Sequence, residues 1–179
     1  MSAFGAAGCT QVNAQNPLAR TLDWSNWQPR QRANLCFVLR GAEILLIRKK
    51  RGFGAGKING PGGKVDPGET ALESALRETY EELGIRPLDA EQRGELHFQF
   101  RENSYSLHCA VFVAFQFAGE PHETEEALPL WTPLDRIPYH EMWEDDRHWL
   151  PLLVRGEHFA GYFEFEGERL LSHEIVVRH

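Results

Sequence analysis

The 179-residue chain has no Cys-x-x-Cys pair; its three cysteines, Cys9, Cys36 and Cys109, are odd in number and widely spaced. That excludes a zinc knuckle and a dithiol redox motif, fits a reducing compartment, and leaves Cys36 and Cys109 as small core residues. No His-Glu-x-x-His occurs among the eight histidines, so the metalloprotease pattern is absent. No apolar run approaches the ~20 residues that span a bilayer. Met1 to Cys9 lacks a basic start and an apolar h-region, so it does not read as a secretory signal. Positive charge is not in excess: the net charge is -7, which excludes broad binding to polymeric nucleic acid. A small phosphate ligand held through a metal ion stays open. No internal repeat is visible. With 42% apolar residues, a chain of this length is expected to form one cytoplasmic domain with a real core.

Residues 1–31 are rich in Ala, Gly, Asn and Gln and show no sustained period. They are expected to form an N-terminal extension, mobile in its first part, with residues 32–179 as the domain. Trp24 and Trp27 predict that the later part of the extension packs on the body. Leu35–Arg40 and Glu43–Arg48 are β-type runs around a turn at Gly41, hence a hairpin. Thr70-x-x-Glu73 is a capping box and Gly84 a stop, which together bound a helix. Leu72, Ala75, Leu76, Thr79 and Leu83 form its apolar stripe, with Glu81 opposite and Glu78 and Glu82 on the flanks. Leu96, Phe98 and Phe100 alternate with polar residues in a half-buried strand. Leu107–Phe117 and Pro129–Leu134 add strands. Asp145–Arg155 reads as a helix that Pro151 should kink or delay. Phe159–Glu166 and Arg169–Val177 form a last hairpin around Gly167. A mixed sheet with few helices implies an α+β protein arranged as an α/β/α sandwich.

Glu78, Glu81 and Glu82 place three carboxylates within one turn, with Arg77 the cation beside them. Like charges at this spacing repel by roughly 0.2–0.5 kcal/mol per pair. Such a cluster belongs on a solvated surface or on a cation. Hard divalent ions take carboxylate oxygens and share their shell with substrate phosphates. Ahead of the helix lie Gly52, Gly54, Gly56, Gly60, Gly62 and Gly63. That density suits a loop wrapped around a ligand; a plain surface loop is the alternative. The loop is neither a P-loop nor a dinucleotide fingerprint. Asn59 could read a base edge or simply turn the chain before Gly60. Trp143 could stack on a base or pack in the core. Asp145 and Asp146 could cap a helix or face a ligand, and then their repulsion would keep a proton on one of them.

The spacing Gly63-x5-Glu69-x7-Arg77-Glu78-x2-Glu81-Glu82-x-Gly84-Ile85 resembles the Nudix hydrolase signature, with Thr79 in place of the usual aliphatic. The resemblance implies a Nudix fold: a mixed β-sheet carrying a strand–loop–helix–loop catalytic unit. It also implies Mg²⁺-dependent hydrolysis (Mn²⁺ being the other candidate) of a nucleoside diphosphate linked to another moiety. Lys49–Gly60, Met142–Asp146 and Gly161–Phe165 are similar to the MutT-homologue branch. That branch converts oxidised purine nucleoside triphosphates such as 8-oxo-dGTP to the monophosphate and pyrophosphate. By this resemblance Glu78, Glu81 and Glu82 are catalytic metal ligands, Arg77 orients a glutamate, and the Gly62 carbonyl is a further metal contact. One of these glutamates, or Glu126, serves as base or extra ligand. Lys49 and Lys64 lie near phosphates and sugar, Phe53 and Gly63 are further substrate contacts, and Asn34, Asn59, Trp143, Asp145 and Asp146 form the nucleobase pocket. Ile58, Pro61 and Asn34 stand where the best-known relatives carry Trp, Phe and Thr, a departure that bears on base preference. The partner expected is a small nucleotide, with the chain a monomer or homodimer. A Nudix pyrophosphatase for ADP-ribose or a dinucleotide should lack Asn59 and the Trp143–Asp146 cluster. A non-catalytic nucleotide-binding module should have lost box carboxylates.

Overall fold

A computed structural model describes residues 11–12, 22–102 and 104–178. The expectation of a mobile start falls on residues 1–10 and 13–21, outside the described residues. In chain order the strands are β1 (Gln11–Val12), β2 (Gln31–Arg40), β3 (Glu43–Lys49), β4 (Ile58–Asn59), β5 (Arg86–Pro87), β6 (Glu91–Phe100), β7 (Ser106–Ala114), β8 (Phe117–Ala118), β9 (Ala127–Pro133), β10 (His158–Glu166) and β11 (Arg169–Arg178). The helices are α1 (Ala71–Leu83) and α2 (Asp146–Val154). One sheet runs β1-β11-β10-β6-β7-β2-β3-β4, with β9 also paired to β3; β5 and β8 make a small separate sheet. β2–β7 and β6–β10 are parallel pairs in an otherwise antiparallel sheet. The architecture is the expected α+β sandwich.

β2 shows why two helical layers are needed. Cys36, Phe37, Val38 and Leu39 are all buried, so both faces of the strand must be covered. Phe37 and Leu39 join a core with Trp149, Leu150 and Leu153 of α2. Cys36 clusters with Ala75 of α1, and Val38 with Leu83. Cys36 and Cys109 are free and buried, as expected.

α1 begins and ends where the sequence places it. Glu73 N–H donates to Thr70 Oγ1 at 3.2 Å, Thr70 N–H donates to the Glu73 carboxylate at 2.8 Å, and Gly84 closes the helix at φ 75°. The buried stripe is rotated from the expected one. Ala75, Thr79 and Leu83 are buried, but Leu72 is 39% exposed while Ser74 and Glu82 are fully buried. Thr79 donates its hydroxyl to the Ala75 carbonyl at 2.7 Å, so it can occupy an aliphatic position without an orphaned polar group. Pro151 neither delays nor breaks α2: the helix starts at Asp146 and runs through it. The loss is one N–H donor, three residues before the helix ends.

Trp24 and Trp27 pack on the sheet. Trp24 lies 5.3 Å from the Tyr162 ring, and Trp27 lies 5.3 Å from the His97 ring. Trp27 Nε1 donates to Gln99 Oε1 at 3.0 Å. Upstream, Gln11 and Val12 pair with Ile175 and Glu174 at the outer edge of β11. No helix of the described residues is long and apolar enough to cross a membrane.

β2 starts at Gln31, earlier than the apolar run suggests, because its first half has partners on both edges. β7 pairs with it from Leu107 onward. On the other edge β2 meets β3 only at Val38–Arg40. Below that point residues 61–65 enter the gap. Asn34 N–H donates to the Gly63 carbonyl at 2.9 Å, Cys36 N–H to Pro61 at 2.8 Å, and Val65 N–H to Arg32 at 3.0 Å. The glycine-rich loop is thereby fixed inside the sheet.

Candidate active site

The inserted loop brings the Gly62 amide, and β3 the Lys49 ammonium, against the acidic turn of α1. Gly62 N–H donates to Glu82 Oε2 at 2.9 Å, and Lys49 Nζ donates to Oε1 at 3.0 Å. Glu82 therefore sits inside the protein and not on an exposed flank of the helix, because these two donors compensate its burial. Burial pushes its pKa up, while Lys49 and the Gly62 amide pull it down. A Cβ on Gly63 would lie 2.3 Å from the Glu78 carboxyl carbon. Gly62 holds φ 152°, and a Cβ there would strike the Asn34 carbonyl at 2.2 Å. Gly62 thus admits glycine alone, whereas a side chain at Gly63 would displace the Glu78 carboxylate. For Gly62 the group engaged is its amide.

Arg77 is the hub of the cluster. Its Nε and Nη2 take both oxygens of Glu69, at 2.7 and 2.9 Å, and its Nη1 reaches Glu78 at 2.9 Å and Glu81 at 3.2 Å. The bidentate partner is thus Glu69, outside the acidic turn, because the loop carries it back over α1. Arg77 holds the Glu69 carboxyl far below its usual range, at about 2. Burial pushes the Glu78 pKa up, opposed by Arg77. Glu81 is half-exposed. Two cations of the chain itself, Lys49 and Arg77, thus serve the three box carboxylates. Among the described residues, the ligand-type group whose atoms lie within 4.8 Å of one another is elsewhere: Glu95, His97 and His108.

Above the loop opens a cleft of about 410 Å³. Every residue expected to touch substrate lines it: Asn34, Lys49, Phe53, Asn59, Gly63, Lys64, Trp143, Asp145 and Asp146. Gly62 and Glu126 line it too. Arg77 and the box glutamates stand behind, with Glu82 under Gly62 and Lys49, and Glu78 against Gly63. Glu126 is ion-paired to Arg51. Asn34 Nδ2 donates to Ser74 Oγ at 2.9 Å, while its buried Oδ1 has no partner among the described residues. Asn59 is a residue of β4 and not of a turn; its Oδ1 accepts the Gly60 N–H at 2.8 Å, and it also lines the cleft.

Asp145 and Asp146 are both buried. Asp145 accepts from Trp149 Nε1 at 2.9 Å and Asp146 from the Trp143 N–H at 3.0 Å. Asp145 stands at the N-cap position of α2, yet its side chain caps nothing. Burial pushes both carboxyls up, Asp146 well above its usual range with the neighbouring Asp145 charge adding to the effect. Trp143 is stacked on the exposed Phe53, with ring centroids 5.2 Å apart and planes 14° apart, and Lys57 Nζ lies 5.0 Å from its ring. Sequence reasoning missed the aromatic wall of Phe98, Phe100, Tyr105 and Phe165. The alternation on β6 shows which residues share a face; it does not show that the face borders a cleft.

Residues 29–153 match the NUDIX domain. The chain belongs to the Nudix hydrolase family. It is 41% identical over 145 residues to the oxidized purine nucleoside triphosphate hydrolase of Danio rerio, covering 81% of this chain and 90% of that protein. It is 40% identical over 142 residues to the enzyme of the same description from Mus musculus, covering 79% and 91%. The crystal structure of a MutT protein from Bacillus halodurans matches with a TM-score of 0.74 at 26% identity, over 81% of this chain and 97% of that one. In this Nudix hydrolase the signature residues each have a physical role: Gly63 makes room for Glu78, Glu69 anchors Arg77, Gly84 ends α1 and Ile85 is core.

Proposed function

We propose that this Nudix hydrolase cleaves oxidised purine nucleoside triphosphates, 8-oxo-dGTP among them, to the monophosphate and pyrophosphate, as a nucleotide-pool enzyme of the cytoplasm. The observation that carries this reading is the buried Asp145–Asp146 pair on the wall of the cleft. A carboxyl that keeps its proton can donate to a purine, and its ionised neighbour can accept. Asn34 also lines the cleft, and its buried Oδ1 has no partner among the described residues. Trp143 and the phenylalanines of β6 offer apolar surface for a base. Residues 32–179 would carry the whole activity.

Lys49 and Lys64 would meet the triphosphate at the loop end of the cleft. Glu78, Glu81 and Glu82 form an all-oxygen donor set that fits a hard dication such as Mg²⁺, and Gly63 leaves the Glu78 carboxylate unobstructed. Such an ion, when bound, neutralises phosphate charge and lowers the pKa of water. Arg77 would hold Glu78 and Glu81 in place, and Glu126 at the mouth would complete the set or take a proton. The presence of Asn59 and of the Trp143–Asp146 cluster favours this substrate class over ADP-ribose or dinucleotides. The intact box carboxylates favour an enzyme over a binding module. A hydrolysis screen over normal and oxidised nucleoside triphosphates, with product analysis, tests the reading. Equal kcat/KM across purine triphosphates, or a diphosphate and orthophosphate as products, would reject it.

A further inference from the structure

We propose that Glu95, His97 and His108 form a second metal site, for a transition-metal dication of the zinc class. His97 stands directly opposite His108 in the antiparallel β6–β7 pair, and Glu95 lies two residues before His97. The pleat therefore puts all three on one face of the sheet, opposite to Phe98 and Phe100. One ring nitrogen from each histidine and a Glu95 carboxylate oxygen lie within 4.8 Å of one another. The Gly161 carbonyl is 3.2 Å from His97 Nδ1. A carbonyl only accepts, so it keeps the proton on Nδ1 and leaves the lone pair on Nε2. A backbone carbonyl behind the imidazole is the outer partner that fixes metal-binding histidines. Tyr162 stacks on the same ring, with centroids 4.6 Å apart, and Trp27 meets it edge-on. The imidazole is thereby held in orientation before any ion arrives.

Two imidazoles and one carboxylate match the donor set of open zinc sites. The box glutamates offer oxygen alone, so the two sites select different cations. Tetrahedral zinc places its ligand atoms about 3.4 Å apart, so binding would contract the group by at most about 1.4 Å, within reach of small side-chain rotations. The fourth position would go to water from the cleft of about 620 Å³ that His97 and His108 share with Trp24, Trp27 and Arg32. Arg178, 3.7 Å from Glu95, would be released as the dication takes over that carboxylate.

The full chain, held in saturating Mg²⁺ to occupy the box, should be titrated with Zn²⁺ by calorimetry and by equilibrium dialysis. One equivalent of Zn²⁺ should bind. Glu78→Gln should retain it, and His97→Gln and His108→Gln should each weaken it at least roughly tenfold. Zn²⁺ should raise the melting temperature of the wild type and of Glu78→Gln, and leave that of the two histidine variants unchanged. Melting curves without Zn²⁺ separate loss of a ligand from loss of fold, and His108→Gln spares the Trp27 contact. Absence of Zn²⁺ binding, or binding that survives both histidine substitutions in folded protein, overturns the assignment.

Discussion

A fully buried carboxylate such as Glu82 can stay charged only because Lys49 and the Gly62 amide face it. Glu82→Gln should therefore do two things. It should lower kcat/KM on the order of 100-fold or more, since charge neutralisation at phosphate contributes several kcal/mol. It should also lower the melting temperature, because Lys49 loses its counter-charge; a flank position would have left stability alone. Near-normal turnover at saturating Mg²⁺ would remove Glu82 from the ligand set. For Asp145 and Asp146 the relevant measurement is stability against pH. Both folded pKa values lie above the ordinary 3.8, that of Asp145 at about 6. The folded chain then holds protons that the unfolded chain has released. The pair's contribution is greatest below about pH 4 and is lost as pH rises through 6 and beyond. Asp146→Asn removes part of that loss, so its melting temperature should decline less than the wild type's between about pH 4 and pH 8. Parallel curves for the two proteins would show that Asp146 holds no more proton in the folded chain than in the unfolded one across that window.

The reciprocal Thr70–Glu73 cap fixes where α1 begins, and thus where its glutamates face. Thr70→Ala should cost about 1 kcal/mol, or roughly 2–4 °C in melting temperature for a chain of this size. Elements of this kind were legible because their signals are local. A capping box, a glycine at φ 75°, and two apolar runs around Gly41 or Gly167 need no knowledge of the rest of the fold. What could not be read depends on partners far along the chain. β4 is two residues long and exists through its pairing with β3. β2 extends back to Gln31 because β7 and the 61–65 loop hold it there. Helical periodicity put Glu82 on a flank, since its two donors come from a strand and a loop outside the helix.

At the scale of the whole molecule, the contrast is between Gln11–Val12, which pair with the edge of β11, and Trp24–Trp27, which pack on the sheet. Deleting residues 1–22 should leave kcat/KM within a few-fold. Deleting through Arg30 should lower the melting temperature by several degrees, on the order of 2 kcal/mol, by stripping both tryptophans from Tyr162, His97 and Gln99. Loss of activity in the shorter deletion would extend the working domain into the first 22 residues. The box was legible here as spacing, and the residues that line the cleft as resemblance; the Glu95–His97–His108 group was not, because only the β6–β7 register brings it together. The same long-range pairing has a consequence during synthesis. β2 and β3 form a hairpin that is apolar on both faces, yet their partners β7 and β9 begin at Ser106 and Ala127. A ribosome adds about 5–20 residues per second, so the hairpin waits on the order of ten seconds for β9 to be made. Throughout that interval the Phe37–Leu39 face of the hairpin lacks its native cover, because α2 begins only at Asp146, and it is this face that chaperones would hold.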